Sequence, residues 1–239
     1  MLDGAHLVET YLARCGAPEL IAMSECALAR PELARLAAAA GSPLIVLSAR
    51  LFAQASPVDS PSGILAQVRV PAHSIDRLRG TCVVLDAIQD PGNVGAILRC
   101  AAAAGVRTVL IGAGCAQAWS PRVLRAGMGA HFVVTVIENA DTAALLAAYP
   151  GRVLATAAGE GRSVFEADLR GETVWLFGAE GRGISPALRA SAHETVFIPM
   201  AGGVESLNVT AAAAVCLFEQ KRQRGRALRI LPARGARPA

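Results

Sequence analysis

The chain has 239 residues, 53% of them hydrophobic and only 4% aromatic, enough for one large or two smaller cores packed through small side chains. No apolar run approaches the roughly 18 residues that cross a bilayer, so a membrane span is not expected. The net charge of +4 is concentrated at one end, where seven basic residues and no acidic ones follow Gln220.

The opening residues lack the basic and apolar segments of a secretory signal. Neither the six cysteines nor the four histidines fall at metal-ligand or thioredoxin spacing, so reduced thiols, no metal and a cytoplasmic location are expected. The basic end, Lys221, Arg222, Arg224, Arg226, Arg229, Arg234 and Arg237, reads either as an arm that screens phosphates or as a solvated terminus.

In chain order, residues 5–15 read as a helix, Leu20 to Met23 and Leu44 to Leu47 as short strands, and Glu32 to Ala40 as a helix between them. A Pro, Ser and Gly-rich segment, Ser56 to Gly63, precedes one more strand, and a polar connector from Pro71 to Gly80 marks a domain boundary. Thr81 to Leu85 then reads as a strand and Asn93 to Ala104 as a helix. Further strands are expected near Arg107 to Ile111, Phe132 to Ile137, Val153 to Thr156, Thr173 to Phe177 and Thr195 to Ile198. Apolar strands alternating with helices predict an α/β fold with a largely parallel sheet covered on both faces.

Three stretches carry chemistry. Leu85 to Arg99 reads as strand, tight turn and helix, placing polar residues where open α/β sheets bind ligands. The bland alternative is that Asn93 caps the helix while Arg99 faces water. Six helical positions separate the two by about 240°, so they can converge only if Asn93 sits off the helix, at its cap. Thr173 to Ile184 is a buried strand running into Gly178, Gly181 and Gly183, where backbone must approach something closely. This spacing is neither the dinucleotide fingerprint nor a phosphate loop, which argues against a nucleotide-dependent oxidoreductase. Ile198 to Thr210 passes from a strand through Gly202-Gly203 to an alanine-rich helix. There Ser206 or Asn208 either caps the helix or aims its polar group into a nucleoside pocket.

Together, in order and spacing, the three stretches resemble the motifs of the SpoU/TrmH family of RNA ribose 2′-O-methyltransferases, within the SPOUT superfamily. The resemblance spans residues 80 to 222 and includes Ser120 to Arg125, with Gly127 standing where many members have serine. It implies residues 1–72 as an N-terminal RNA substrate-binding module, a small α/β fold shared with some ribosomal proteins whose start is shortened here. Residues 73–80 are then a linker, 81–223 a SPOUT methyltransferase domain with a deep C-terminal trefoil knot, and 224–239 a basic tail. The resemblance further implies a homodimer and S-adenosylmethionine held by Thr156, Gly178, Ile198, Met200 and Leu207.

For the reaction, the resemblance assigns activation of the ribose hydroxyl to Arg99, orientation to Asn93, and completion of the site to Glu180, Ser206 and Asn208. RNA contacts are implied for Arg99 and Arg125. A guanidinium with a pKa above about 12 is a poor base, so Arg99 is better suited to fixing a phosphate and stabilising developing alkoxide. The implied substrate is structured RNA, ribosomal RNA ahead of transfer RNA. A noncatalytic RNA-binding or ribosome-assembly factor is the rival, opposed by the presence of all five polar residues.

Overall fold

The computed structural model describes residues 1–225 and contains two sheets. The first is built by β1 (Leu2–Asp3), β2 (Leu20–Ser24), β3 (Leu44–Leu47) and β4 (Ile64–Gln67), in the spatial order β1-β4-β2-β3. β3 runs parallel to β2, while β4 is antiparallel to both β1 and β2. Its helices are α1 (Ala5–Cys15), α2 (Pro31–Ala40) and α3 (Ala49–Ala55). α3 was not expected from the sequence. It is only seven residues long, buries Phe52 alone and is started by Ser48, whose hydroxyl accepts the Leu51 N–H, too short a stretch to show a helical period.

The second sheet has seven strands: β5 (Cys82–Asp86), β6 (Thr108–Ile111), β7 (Thr135–Glu138), β8 (Arg152–Thr156), β9 (Arg162–Ser163), β10 (Thr173–Gly178) and β11 (Glu194–Phe197). Every pairing is parallel, in the order β7-β6-β5-β10-β8-β11-β9, as continuous apolar strands require when both faces are covered. One face packs Val83, Leu85, Trp175 and Phe177 under α4 (Pro91–Ala104), α5 (Pro121–Gly127) and α8 (Val209–Gln223). The other packs Val84, Val174 and Leu176 with Leu145 and Leu146 of α6 (Thr142–Ala147) and Leu188 of α7 (Pro186–Ala190).

The strand expected from Phe132 starts only at Thr135, because Ala130–Phe132 forms a 3-10 turn. Its Phe132 ring meets Tyr11 of α1 edge-on, with centroids 5.3 Å apart, and also contacts Trp119. This turn and α5 join the two halves: Leu124 of α5 is buried in the core of the first sheet. The connector is packed as well. Leu78 is buried with the second sheet, and Gly80 accepts the Tyr149 hydroxyl at 2.6 Å.

β6 and β7 leave β5 on one side and β10 lies on its other side. The order therefore reverses at β5, and a crevice is expected outside the carboxyl ends of the strands there.

Candidate active site

The loops beyond β5, β8, β10 and β11 meet at this reversal. α4 begins after Asp90, whose carboxylate accepts the Asn93 N–H at 2.8 Å, and Pro91 supplies the fixed φ of a first helical residue. Asp90, not Asn93, is thus the cap. Asn93 sits inside the first turn, and this leaves its side chain free for other partners.

The turn after β10 is folded on itself. Ala179 and Gly183 form a bridge, with the Gly183 N–H on the Ala179 carbonyl at 2.8 Å. A Cβ on Gly178 would lie 2.2 Å from the Gly183 carbonyl carbon and 2.3 Å from Ile184 N, so only glycine fits. Buried Asp86, at the end of β5, fastens the same turn by accepting the Ser185 N–H at 2.6 Å. Sequence reasoning gave Asp86 no role; its position at the end of β5, just before the turn, was the available signal.

α8 starts with Asn208 as its cap, and the side-chain oxygen accepts the Thr210 N–H at 2.9 Å. Ser206 takes no part in that cap. The Asn208 amide then donates to Glu180 Oε1 at 2.7 Å and to Asn93 Oδ1 at 3.0 Å. Asn93 Nδ2 donates to the same Glu180 oxygen at 2.9 Å, and the Thr210 hydroxyl donates to Asn93 Oδ1 at 3.1 Å. Three residues from three separated stretches are locked into one cluster.

Beside it lies a cavity of about 230 Å³ whose walls include Thr156, Gly178, Ile198, Met200 and Leu207, together with Glu180 and Ser206. Thr156 turns its hydroxyl onto the Leu176 carbonyl at 2.9 Å, so it faces the cavity mainly as a small wall. Sequence reasoning missed Val209, Ala212 and Cys216 of α8, which complete the lining. Their spacing of three and four residues, directly after Asn208, was the legible sign of one helical stripe. Burial pushes the Cys216 thiol up to about 12, and it stays neutral as part of an apolar wall.

Arg99 and Arg125 stand apart from this cluster. Both are exposed, on α4 and α5. Because Asn93 is helical rather than capping, a rotation of about 240° lies between it and Arg99, and Arg99 takes no part in the hydrogen bonds of the cluster. The two helices are nonetheless tightly apposed: a Cβ on Gly95 would lie 2.5 Å from the Val123 carbonyl oxygen. Among the described residues, no group of His, Cys, Asp and Glu is arranged to hold a metal ion.

The lining has no lysine or arginine and one carboxylate, Glu180. Such a donor set suits an apolar-bodied, positively charged ligand without phosphates, and S-adenosylmethionine, a sulfonium on an adenosine, fits that description. Residues 80–218 match the model of the SpoU rRNA Methylase family. A tRNA/rRNA methyltransferase of Synechocystis sp. is 33% identical over 93% of this chain and 84% of its own length. The 23S rRNA (guanosine(2553)-2′-O)-methyltransferase RlmP of Bacillus subtilis is 30% identical, over 91% of this chain and 86% of its own. The SpoU methyltransferase AviRb of Streptomyces viridochromogenes, solved in complex with AdoMet, superposes with a TM-score of 0.83 at 26% identity, covering 93% of this chain and 89% of that one. With the family model matching more than half of its length and its motif residues meeting around one cavity, the chain belongs to the SpoU rRNA methylase family.

Proposed function

We propose that this protein transfers a methyl group from S-adenosylmethionine to a ribose 2′-hydroxyl of ribosomal RNA. The observation that carries the reading is the bonded cluster of Asn93, Glu180 and Asn208 at the rim of an apolar cavity, outside the carboxyl ends of the strands. The bound donor supplies an electrophilic methyl group for an in-line displacement. Gly178, Ile198, Met200 and Leu207 would hold it through backbone and apolar contacts, with Thr156 as a side wall. Asn93 and Asn208 fix the Glu180 carboxylate, so that polar groups are set in place before the acceptor arrives. Arg99 binds the neighbouring phosphate and stabilises charge developing on the ribose oxygen, whose proton passes to solvent as the methyl–sulfur bond breaks and the neutral thioether leaves. Holding oxygen and methyl in line supplies several kcal/mol of the catalysis.

Finer features belong to the same proposal. The final helix closes a deep trefoil knot, a reading supported by α8 packing against α4 and β10 after the chain has left β11 at the far side of the sheet. A second copy covers the loop before α8, where Val204 and the cavity-lining Leu207 are exposed, and Arg99, exposed on α4, is supplied to the partner's side of the interface. Residues 1–72 bind the RNA substrate, 73–80 connect, and 81–223 carry the transfer. The six cysteines are unpaired, in keeping with a cytoplasmic enzyme.

The test is incubation with tritiated S-adenosylmethionine and either in vitro transcribed 23S rRNA or bulk tRNA, followed by primer extension at low nucleotide concentration to map 2′-O-methylation. Label and a primer-extension stop in 23S rRNA are expected. Label in tRNA alone would move the substrate to that class, and no label in any RNA would leave a noncatalytic RNA-binding factor.

A further inference from the structure

α8 is tied to β10 and to α4 at both of its ends. At the site end, Asn208 donates to Glu180 just beyond β10 at 2.7 Å, and to Asn93 in the first turn of α4 at 3.0 Å. At the far end, Gln220 Oε1 accepts the indole N–H of Trp175 on β10 at 2.8 Å, and Lys221 Nζ donates to the Ala103 carbonyl near the close of α4 at 2.8 Å.

Between these ties α8 buries Val209, Ala213, Cys216 and Leu217 in the core, apolar contacts that are less directional than hydrogen bonds. Ala211 to Ala214 are four consecutive alanines, and such short side chains offer no large knobs to resist sliding. The Gln220 bonds are directional, and the one to Trp175 is buried. Gln220 is only 3% exposed, its oxygen is taken by Trp175, and its nitrogen donates to the Gly171 carbonyl at 3.2 Å. A slip of one residue would strand these polar groups without partners, a cost of roughly 1–3 kcal/mol for each.

We propose that Gln220, assisted by Lys221, is a positioning residue for methyl transfer: it sets the axial register of α8 and thereby places Asn208 against Glu180 and Asn93. The proposal rests on the reading of that cluster as the transfer site. One residue of slip moves Asn208 by about 1.5 Å, and a misplacement of about 1 Å can lower a rate on the order of a hundredfold.

Gln220→Met keeps the side-chain length and removes both amide bonds. Trp175→Phe removes the shared bond from the strand side, and Leu145→Ala, on the opposite face of the sheet, lowers stability without touching α8. The full chain is assayed with tritiated S-adenosylmethionine and 23S rRNA transcript at a temperature where melting curves show each variant folded. Gln220→Met is expected to lower kcat/KM for the donor by on the order of ten- to a hundredfold, while Leu145→Ala stays within about twofold. The double variant Gln220→Met/Trp175→Phe is expected to lose little beyond the worse single variant, since both delete the bond between Trp175 and Gln220. A folded Gln220→Met protein with normal kcat/KM, or additive losses in the double variant, overturns the proposal. Should Gln220→Met fail to fold, Trp175→Phe decides alone: reduced kcat/KM supports the register role and normal kinetics overturn it. Loss of transfer in the wild-type protein would instead refute the functional reading itself.

Discussion

Glu180 receives two amide N–H groups on a single carboxylate oxygen, and the Asn208 that provides one of them also holds the first turn of its own helix. Capping and site-building, weighed as alternatives from the sequence, are performed by one side chain because its oxygen and nitrogen face different partners. Arg99 is the opposite case, an exposed side chain outside the cluster. Arg99→Ala is expected to abolish methyl transfer while donor affinity, measured by calorimetry, stays nearly unchanged; normal turnover with tritiated donor would remove Arg99 from the mechanism. His131 makes a second residue-level prediction. It is 2% exposed, its Nε2 donates to the Ala118 carbonyl at 2.8 Å, and its Nδ1 has no partner. Burial pushes its pKa down to about 4, against about 6.5 in the unfolded chain. The unfolded state therefore binds the extra proton between these values, so the contribution to stability is complete above pH 6.5 and is lost as pH falls toward 4, on the order of 3 kcal/mol. His131→Gln, which can keep the bond to Ala118, should flatten the decline in melting temperature between pH 6.5 and 4.5.

At the scale of elements, helices and strands with a clear period were readable, and α1, β3 and most of the second sheet lie where apolar spacing put them. Short pieces were not readable. The two residues of β9 are recruited only because Val196 and Phe197 of β11 offer an open edge, and the turn at Ala130–Phe132 replaces expected strand because Phe132 packs against Tyr11 and Trp119. The glycines of the second motif were legible as a close backbone approach, but only Gly178 makes one, to the motif's own turn, while Gly181 and Gly183 have open space at the Cβ position. Gly178→Ala tests this. Its new methyl would collide with Gly183 and Ile184, both of them backbone contacts that cannot swing aside. The turn should open, weakening S-adenosylmethionine binding by at least about tenfold in a calorimetric titration, while the far-ultraviolet circular dichroism spectrum stays that of the wild type.

For the whole molecule, the two sheets share a packed boundary instead of hanging on a tether. Leu124 of α5 is buried in the first sheet's core, and a Cβ on Gly129 would stand 2.8 Å from the Thr10 side chain. A boundary of composition was visible at residues 71–80; the packing of Ile75 and Leu78 against the second sheet was not, since no local pattern tells which distant face an apolar residue meets. The basic arm beyond residue 225 lies outside the described residues. Deleting residues 226–239 removes four arginines and should weaken RNA binding and reduce its log–log salt slope by up to about 3; an unchanged slope would leave the arm a solvated terminus. The sequence by itself determined the alternation of strands and helices, the apolar faces and the three motifs, because these depend on residue periods and backbone rules that act over a few positions. Tertiary structure alone decided that Asn93, Glu180 and Asn208 share hydrogen bonds while Arg99 stands apart, and that one end of α8 answers to the other. Those relations depend on distances between segments 28 to 115 residues apart, which are set only when the sheet is assembled and its helices are packed.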